Sequence, residues 1–405
     1  MSLYQKASLV QIPSGYKAAD DKLYSVVPNS GDGDFTIDSD ADATRVNKDG
    51  LIESVVADQA RLNYDPTNPQ DPHLLLEPTR TNFVSPNNSL TGYTPNGVST
   101  TNNDAIAPNG TNEGAKVQAT TSGTAVVFKG LSTTSSNATH NFSVFVKAGT
   151  HNILQIQEGF AGANIIVDLS DGTEVSSQNA TNKKIEEYPN GWYRVSFNFT
   201  SNGTNLQFSI YFSGSYSSGD NYYVWGGQIE AGSYATSLIP TTTGAVTRTV
   251  DTCKLENFAN MPTDYPFTVF WEGKIDDIST NQNAFTILDA TSSIKYLSFT
   301  FANTGFFQVL RRNVSYDIDS QTFSMSIGDV LKIAIAFTSN TTYKCYINGS
   351  LERNETSGLD IDFDFNDILI GQLRTVSDTG TRNQASQFML FNEALSDSEL
   401  QTLTS

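Results

Sequence analysis

Charge is scarce in this chain of 405 residues. Asp, Glu, Lys and Arg together make up 17% of it, below the quarter or so usual in globular proteins. What charge there is leans one way, with 43 acidic residues against 24 basic ones and a formal net charge of −19. No Lys/Arg cluster interrupts that acidity, so the field of the whole protein opposes binding to nucleic acid or anionic lipid. Cysteine is nearly absent. Cys253 and Cys345 are the two present, too few for a fold built on disulfides, and Cys345 alternates with Tyr343 and Ile347 as a buried free thiol would. The three histidines, His73, His140 and His151, are scattered and match no H-x-x-H or Cys/His ligand spacing, which reads as surface or loop histidine. No apolar run reaches membrane-spanning length. The opening MSLYQKASLVQIPSGYK has no basic region followed by an apolar one, so no signal peptide is expected. Neither a G-x-S-x-G elbow nor a phosphate-binding glycine loop is present, and these absences argue against an enzyme.

What fills the space is Ser, Thr, Asn, Gln and Gly, with aromatic residues at 11%. That mixture favours strands joined by many turns over long helices. The strands announce themselves by alternation. Phe142, Val144 and Val146 share one face, as do Leu154 and Ile156, and Tyr193, Val195, Phe197 and Phe199. Leu206, Phe208, Ile210 and Phe212 alternate with Gln207, Ser209, Tyr211 and Ser213. A period of two puts every second side chain in a core, and turn signals at Gly159, Asp171-Gly172, Asn190-Gly191 and Asn202-Gly203 separate the runs. The fold class is all-β: an irregular N-terminal β segment over residues 1–86, then two antiparallel β-sandwich (jelly-roll) domains over 87–245 and 246–405.

Local signals refine each part. Lys48-Asp49-Gly50 between Ala43–Asn47 and Leu51–Val55 marks a hairpin, and Asn348-Gly349 after Tyr343–Ile347 marks another. Ser396-Asp397-Ser398-Glu399 has the form of a capping box for a short terminal helix. Tyr222–Trp225 reads as a strand that breaks at Gly226-Gly227, and the run to Asp251 closes one domain and tethers the next. Segment 1–86 holds too little apolar sequence for a core of its own, so it must order against neighbouring parts of the chain or another subunit.

Several runs carry a resemblance. YYVWGGQIEAGSYATSLIPTTTGAVTRTVD (Tyr222–Asp251), with Gly191-Trp192-Tyr193-Arg194 upstream, looks like the end of the carbohydrate-binding-module-like jelly roll found in many bacteriophage tail and virion structural proteins. Leu23–Val26, Gly33–Thr36, Ala43–Asn47, Asp49–Glu53, Arg61–Tyr64 and Leu75–Asn82 occur in the same order in those proteins. The hairpin, final strand and Leu395–Leu400 are similar to concanavalin A-like and laminin-G-like domains. The resemblance implies a virion structural protein (a tail fibre, head fibre or capsid decoration) assembled in the host cytoplasm. It implies attachment to other virion proteins through the N-terminal segment, a homo-oligomer of trimeric form, and adhesion to host cell-surface glycans. No nucleic acid and no membrane insertion are expected. A ligand-free decoration protein is the competing class, and a polysaccharide depolymerase the third.

Candidate sites follow from residue type. Tyr211, Tyr216, Tyr222 and Tyr223 surround the polar loop 213–221 and are the candidates for a carbohydrate platform, with Tyr211 on the outer face of its strand and Trp225 assigned to the core. Asp360, Asp362 and Asp364 alternate with apolar residues and place three carboxylates on one sheet face, where calcium could bridge them; a solvated outer face is the plainer account. Asp38-Ser39-Asp40-Ala41-Asp42 copies the start of an EF-hand loop, but Ala43 replaces the required glycine. Glu272 and Asp276 near Trp271 could form a glycosidase carboxylate pair, but they lie in a segment whose charges should face water.

Overall fold

The computed structural model describes all residues except 1, 17–21, 40–42, 71, 134–135, 276–280, 293, 303–305, 313–315, 357–363 and 373–382. Among the described residues the chain is all-β, and every strand pairing is antiparallel. Among the described residues the α-helices are the single turn Leu3–Lys6 and the terminal Asp397–Thr404, and none is long and apolar enough to cross a membrane.

The middle of the chain is a sandwich of two six-stranded sheets. One runs Val98–Ala105, Gly114–Ala119, Asn221–Ala231, Thr139–Ala148, Trp192–Thr200, Thr181–Tyr188; we call it the tryptophan sheet. The other runs Thr173–Gln178, Ala163–Asp168, Ile153–Glu158, Asn205–Phe212, Val126–Ser132, Thr94–Asn96; we call it the amide sheet. The alternating residues meet between them. Phe142 of the tryptophan sheet stacks on Phe197 at 5.2 Å and on Phe208 of the amide sheet at 4.8 Å. Each such ring contributes about 1.5–3 kcal/mol by leaving water. The strand from Asn221 does not end at Gly226-Gly227. It runs on to Ala231 through a bulge in its pairing with Thr139–Ala148. Gly226 takes φ +62°, and a Cβ on Gly227 would stand 2.7 Å from the Phe208 ring, so glycine permits both the bulge and the close approach.

The second sandwich is assembled from both ends of the sequence. Leu9–Tyr16 pairs with Asn383–Phe391 on one side and Lys22–Val27 on the other. Phe35–Asp38 pairs with Thr252–Leu255, and His73–Leu76 pairs with Asn383–Phe391. The continuous sheet folds over one core, in which Phe388 touches Phe35 at 6.3 Å and Phe285 at 5.6 Å. Leu9, Leu23, Phe35, Ile37, Leu74 and Leu76 are all buried in that core. Of the two ways segment 1–86 could find its order, the one seen is through the rest of its own chain. Both cysteines are buried and neither forms a disulfide, and burial pushes the Cys253 thiol well up.

The middle sandwich therefore interrupts the other one. Its inbound strand Arg80–Asn82 and outbound strand Val246–Arg248 lie side by side. At this neck four buried charges close on one another. Glu77 accepts from Arg61 at 2.7 Å, from Arg248 at 2.8 Å and from the Ser237 hydroxyl at 2.6 Å. Asp251 accepts from Arg61 and from the Glu77 backbone N–H. Burial works against the Arg61 charge, but Asp251 and Glu77 hold its pKa above the ordinary value. Burial also pushes the Asp251 carboxyl up, against the pull of Arg61 and Arg248. Two cations and two anions in contact leave no net charge buried, which is the condition for keeping such groups out of water.

Candidate functional site

The middle sandwich has two outer faces, and the chain treats them differently. On the tryptophan sheet, Phe145, Tyr188, Trp192 and Trp225 point outward and are covered by the hairpin Ala43–Val46/Ile52–Val55 and by Leu238. The Trp192 indole donates to the Ile106 carbonyl at 2.9 Å, and the Thr44 hydroxyl donates to the Leu238 carbonyl at 2.6 Å. Arg194 lies over the Phe145 ring and donates to the Thr236 carbonyl at 2.6 Å. This face is an internal seam.

The amide sheet carries no such cover among the described residues. Its register sets two rows of side chains across the outer face. One row is Ser176, Ile166, Gln155, Tyr211, Val126, Asn96; the next is Gln178, Asn164, Gln157, Ser209, Phe128, Thr94. Gln155 donates to Gln157 at 2.5 Å. Neither row contains a charged side chain, although the protein carries a net −19. Half-buried Tyr211 and Phe128 stand among half-buried amides, so the face offers flat apolar rings beside paired donors and acceptors.

The four candidate tyrosines do not converge. Tyr211 lies on the open face as expected. Tyr216 sits at its rim with the ring against Phe212 (5.0 Å) and His151 (5.8 Å), its hydroxyl donating to the Gly123 carbonyl. Tyr222 is a correction: it is fully buried between the sheets, donates to the Ile210 carbonyl at 3.1 Å and offers nothing to a ligand. Burial accordingly pushes its phenol pKa well up. Tyr223 is a second correction. One residue on, it points to the opposite outer face, half-buried against the Trp225 cluster. Trp225 is buried, though in that seam rather than in the sandwich core.

The histidines also need correcting. His140 and His151 are buried, with His140 stacked on Phe199 at 5.5 Å and His151 Nε2 within 2.8 Å of the Ile153 and Ser213 carbonyls. Of the calcium candidates, Asp364 is exposed, while Asp360 and Asp362 lie outside the described residues, as do Asp40, Asp42 and Asp276. Among the described residues no three His, Cys, Asp or Glu side chains are grouped to hold a metal. Phe128, Gln155, Gln157 and Asn164 were not singled out from sequence. The signal for the glutamines was there, since they alternate with Leu154 and Ile156.

No family model matches the chain, and no curated protein does either. Solved structures overlap it in part. The carbohydrate-binding module CBM40 of Ruminococcus gnavus IT-sialidase, bound to alpha2,3 sialyllactose, is 16% identical over 36% of this chain and 86% of its own, with a TM-score of 0.32. Domain 4 of AbnA, an extracellular GH43 arabinanase from Geobacillus stearothermophilus in complex with arabinotriose, is 16% identical over 43% and 81%, with a TM-score of 0.33. The NanB sialidase of Streptococcus pneumoniae is 19% identical over 38% of this chain and 26% of its own, with a TM-score of 0.32. Each overlap is partial and remote, and what those proteins bind is a property of theirs.

Proposed function

We propose that this protein is a non-catalytic adhesin that binds neutral glycans on the open amide face of its middle sandwich. The observation that carries the reading is the charge-free pairing of rings and amides around Tyr211 on an otherwise acidic protein. A sugar ring offers hydroxyls that both donate and accept, which side-chain amides answer in kind, and an apolar C–H face that packs on an aromatic ring. A face without cations lacks the partners an anionic sugar needs. Such a site is shallow and weak alone. In a trimer, the form we propose, several copies on one particle would supply avidity.

The setting we propose is a bacteriophage virion, as a tail fibre, head fibre or capsid decoration; the ordered motifs between Leu23 and Asn82 and through Asp251 support it. A ligand-free decoration role has one specific observation in its favour. Glu77, Arg61, Arg248 and Asp251, all within those motifs, serve the buried neck rather than an exposed surface. Glycan-array binding of the whole chain separates the two. Retention of neutral bacterial glycans that is lost in Tyr211→Ala supports adhesion. Silence across the array, with tight binding to purified capsid or tail shells, overturns it. Falling viscosity of a bound polysaccharide would overturn the non-catalytic assignment.

A further inference from the structure

The second sandwich carries a groove of about 530 Å³ where the N-terminal helix and residues Asp65, Asn68, Gln70 and His73 meet the strands Phe267–Lys274 and Asn383–Phe391. That volume is within the range of small-molecule sites, about 300–1,000 Å³. Five stretches far apart in sequence build it, and its polar groups are held in place by one another. The Gln387 amide donates to the Tyr4 hydroxyl at 2.9 Å, and His73 Nδ1 lies 2.5 Å from the Ser386 hydroxyl. Asp65, which also lines the groove, is fixed by the Thr67 and Asn68 backbone N–H groups and the Thr67 hydroxyl, all donating to Oδ1.

The apolar part points to the same place. Large apolar side chains exposed among the described residues are few, and two of them, Tyr4 and Val330, line this groove. An exposed ring and an aliphatic group at one polar cleft mark a contact surface rather than scattered exposure. The lining carries Asp65 and Glu272 against Lys274, beside the Gln70 and Gln387 amides, and so offers both donors and acceptors to a hydroxyl-rich partner.

We infer that this groove is a second glycan site, taking a short neutral oligosaccharide with one sugar on the Tyr4 ring and its hydroxyls shared between Asp65, Lys274 and Gln387. It rests on the adhesion reading for the class of ligand, but not on the amide face. The test is saturation-transfer NMR of the whole chain with lactose, cellobiose, maltotriose and diacetylchitobiose, in the wild type, Tyr211→Ala, Tyr4→Ala and Lys274→Ala, and with each of the last two added to Tyr211→Ala. The expected result is transfer to at least one of these sugars that survives Tyr211→Ala and weakens about tenfold or more when Tyr4→Ala or Lys274→Ala is added to Tyr211→Ala, each variant melting as the wild type does. Transfer abolished by Tyr211→Ala alone, transfer untouched when the groove substitutions are added to Tyr211→Ala, or none from any of the four sugars overturns the second site. If Tyr211→Ala changes nothing while the groove variants abolish binding, the amide-face reading falls and this one stands.

Discussion

The two outer faces of the middle sandwich are made by the same alternation and end in opposite states. The tryptophan sheet turns Phe145, Tyr188, Trp192 and Trp225 outward, and the chain covers them with a hairpin from residues 43–55. The amide sheet turns Gln155, Gln157, Asn164 and Tyr211 outward and leaves them at the surface. The difference lies in what each side chain costs to expose. Tryptophan and phenylalanine lose free energy in water and recruit a cover. Amides lose little there, and lose more if buried without full hydrogen bonding. Reading which face is a seam and which is a site thus comes down to the residues opposite the core-facing ones.

The largest way to break the contrast is at the neck. Glu77→Ala strips the acceptor from two buried arginines and should cost about 3–5 kcal/mol, read from urea unfolding of the whole chain. Next comes the cover. Ile52→Val trims a buried methyl group from the hairpin that lies on the seam and should cost about 1 kcal/mol with no change in glycan retention. Tyr211→Ala inverts that pattern: stability should move by no more than about 0.5 kcal/mol while array binding through the amide face is lost. If Tyr211→Ala instead destabilises as a buried aromatic would, the amide face is covered in solution and the comparison fails.

The smallest effect is set by pH. Lys6 and the Ser396 hydroxyl and N–H hold the Glu399 carboxyl down at about 2, against an ordinary 4.5. A depressed carboxylate contributes stability that is present above 4.5 and lost as pH falls towards 2. Hydrogen exchange of the helix Asp397–Thr404 should therefore quicken across that window, and Glu399→Gln should remove the pH dependence. Equal exchange in both proteins would place the anchor elsewhere.

Local structure was legible wherever neighbours in sequence decide it. Asn348 and Gly349 take φ +47° and +82° in the expected hairpin, and Glu399 accepts from Ser396 as the capping box requires. Alternation placed Tyr211 on an outer face. What it could not decide was which sheet Tyr223 joins, because Asn221–Ala231 and Asn205–Phe212 pair into different sheets despite lying one loop apart. The pairing of Leu9–Tyr16 with Asn383–Phe391 has no local signature at all, since nothing in either strand encodes a partner more than three hundred residues away. The buried charges at the neck were equally hidden: nothing local in the sequence tells that Glu77 faces Arg61 and Arg248, or that Asp251 faces Arg61.

The paired ribbon Arg80–Asn82/Val246–Arg248 brings the two ends of the middle sandwich together at adjacent backbone positions. A unit whose ends meet behaves as a cassette. It can be exchanged for another without moving a strand of its host, provided the incoming piece keeps a serine to meet Glu77. The surface presented by the middle module could then change while the supporting framework stays as it is.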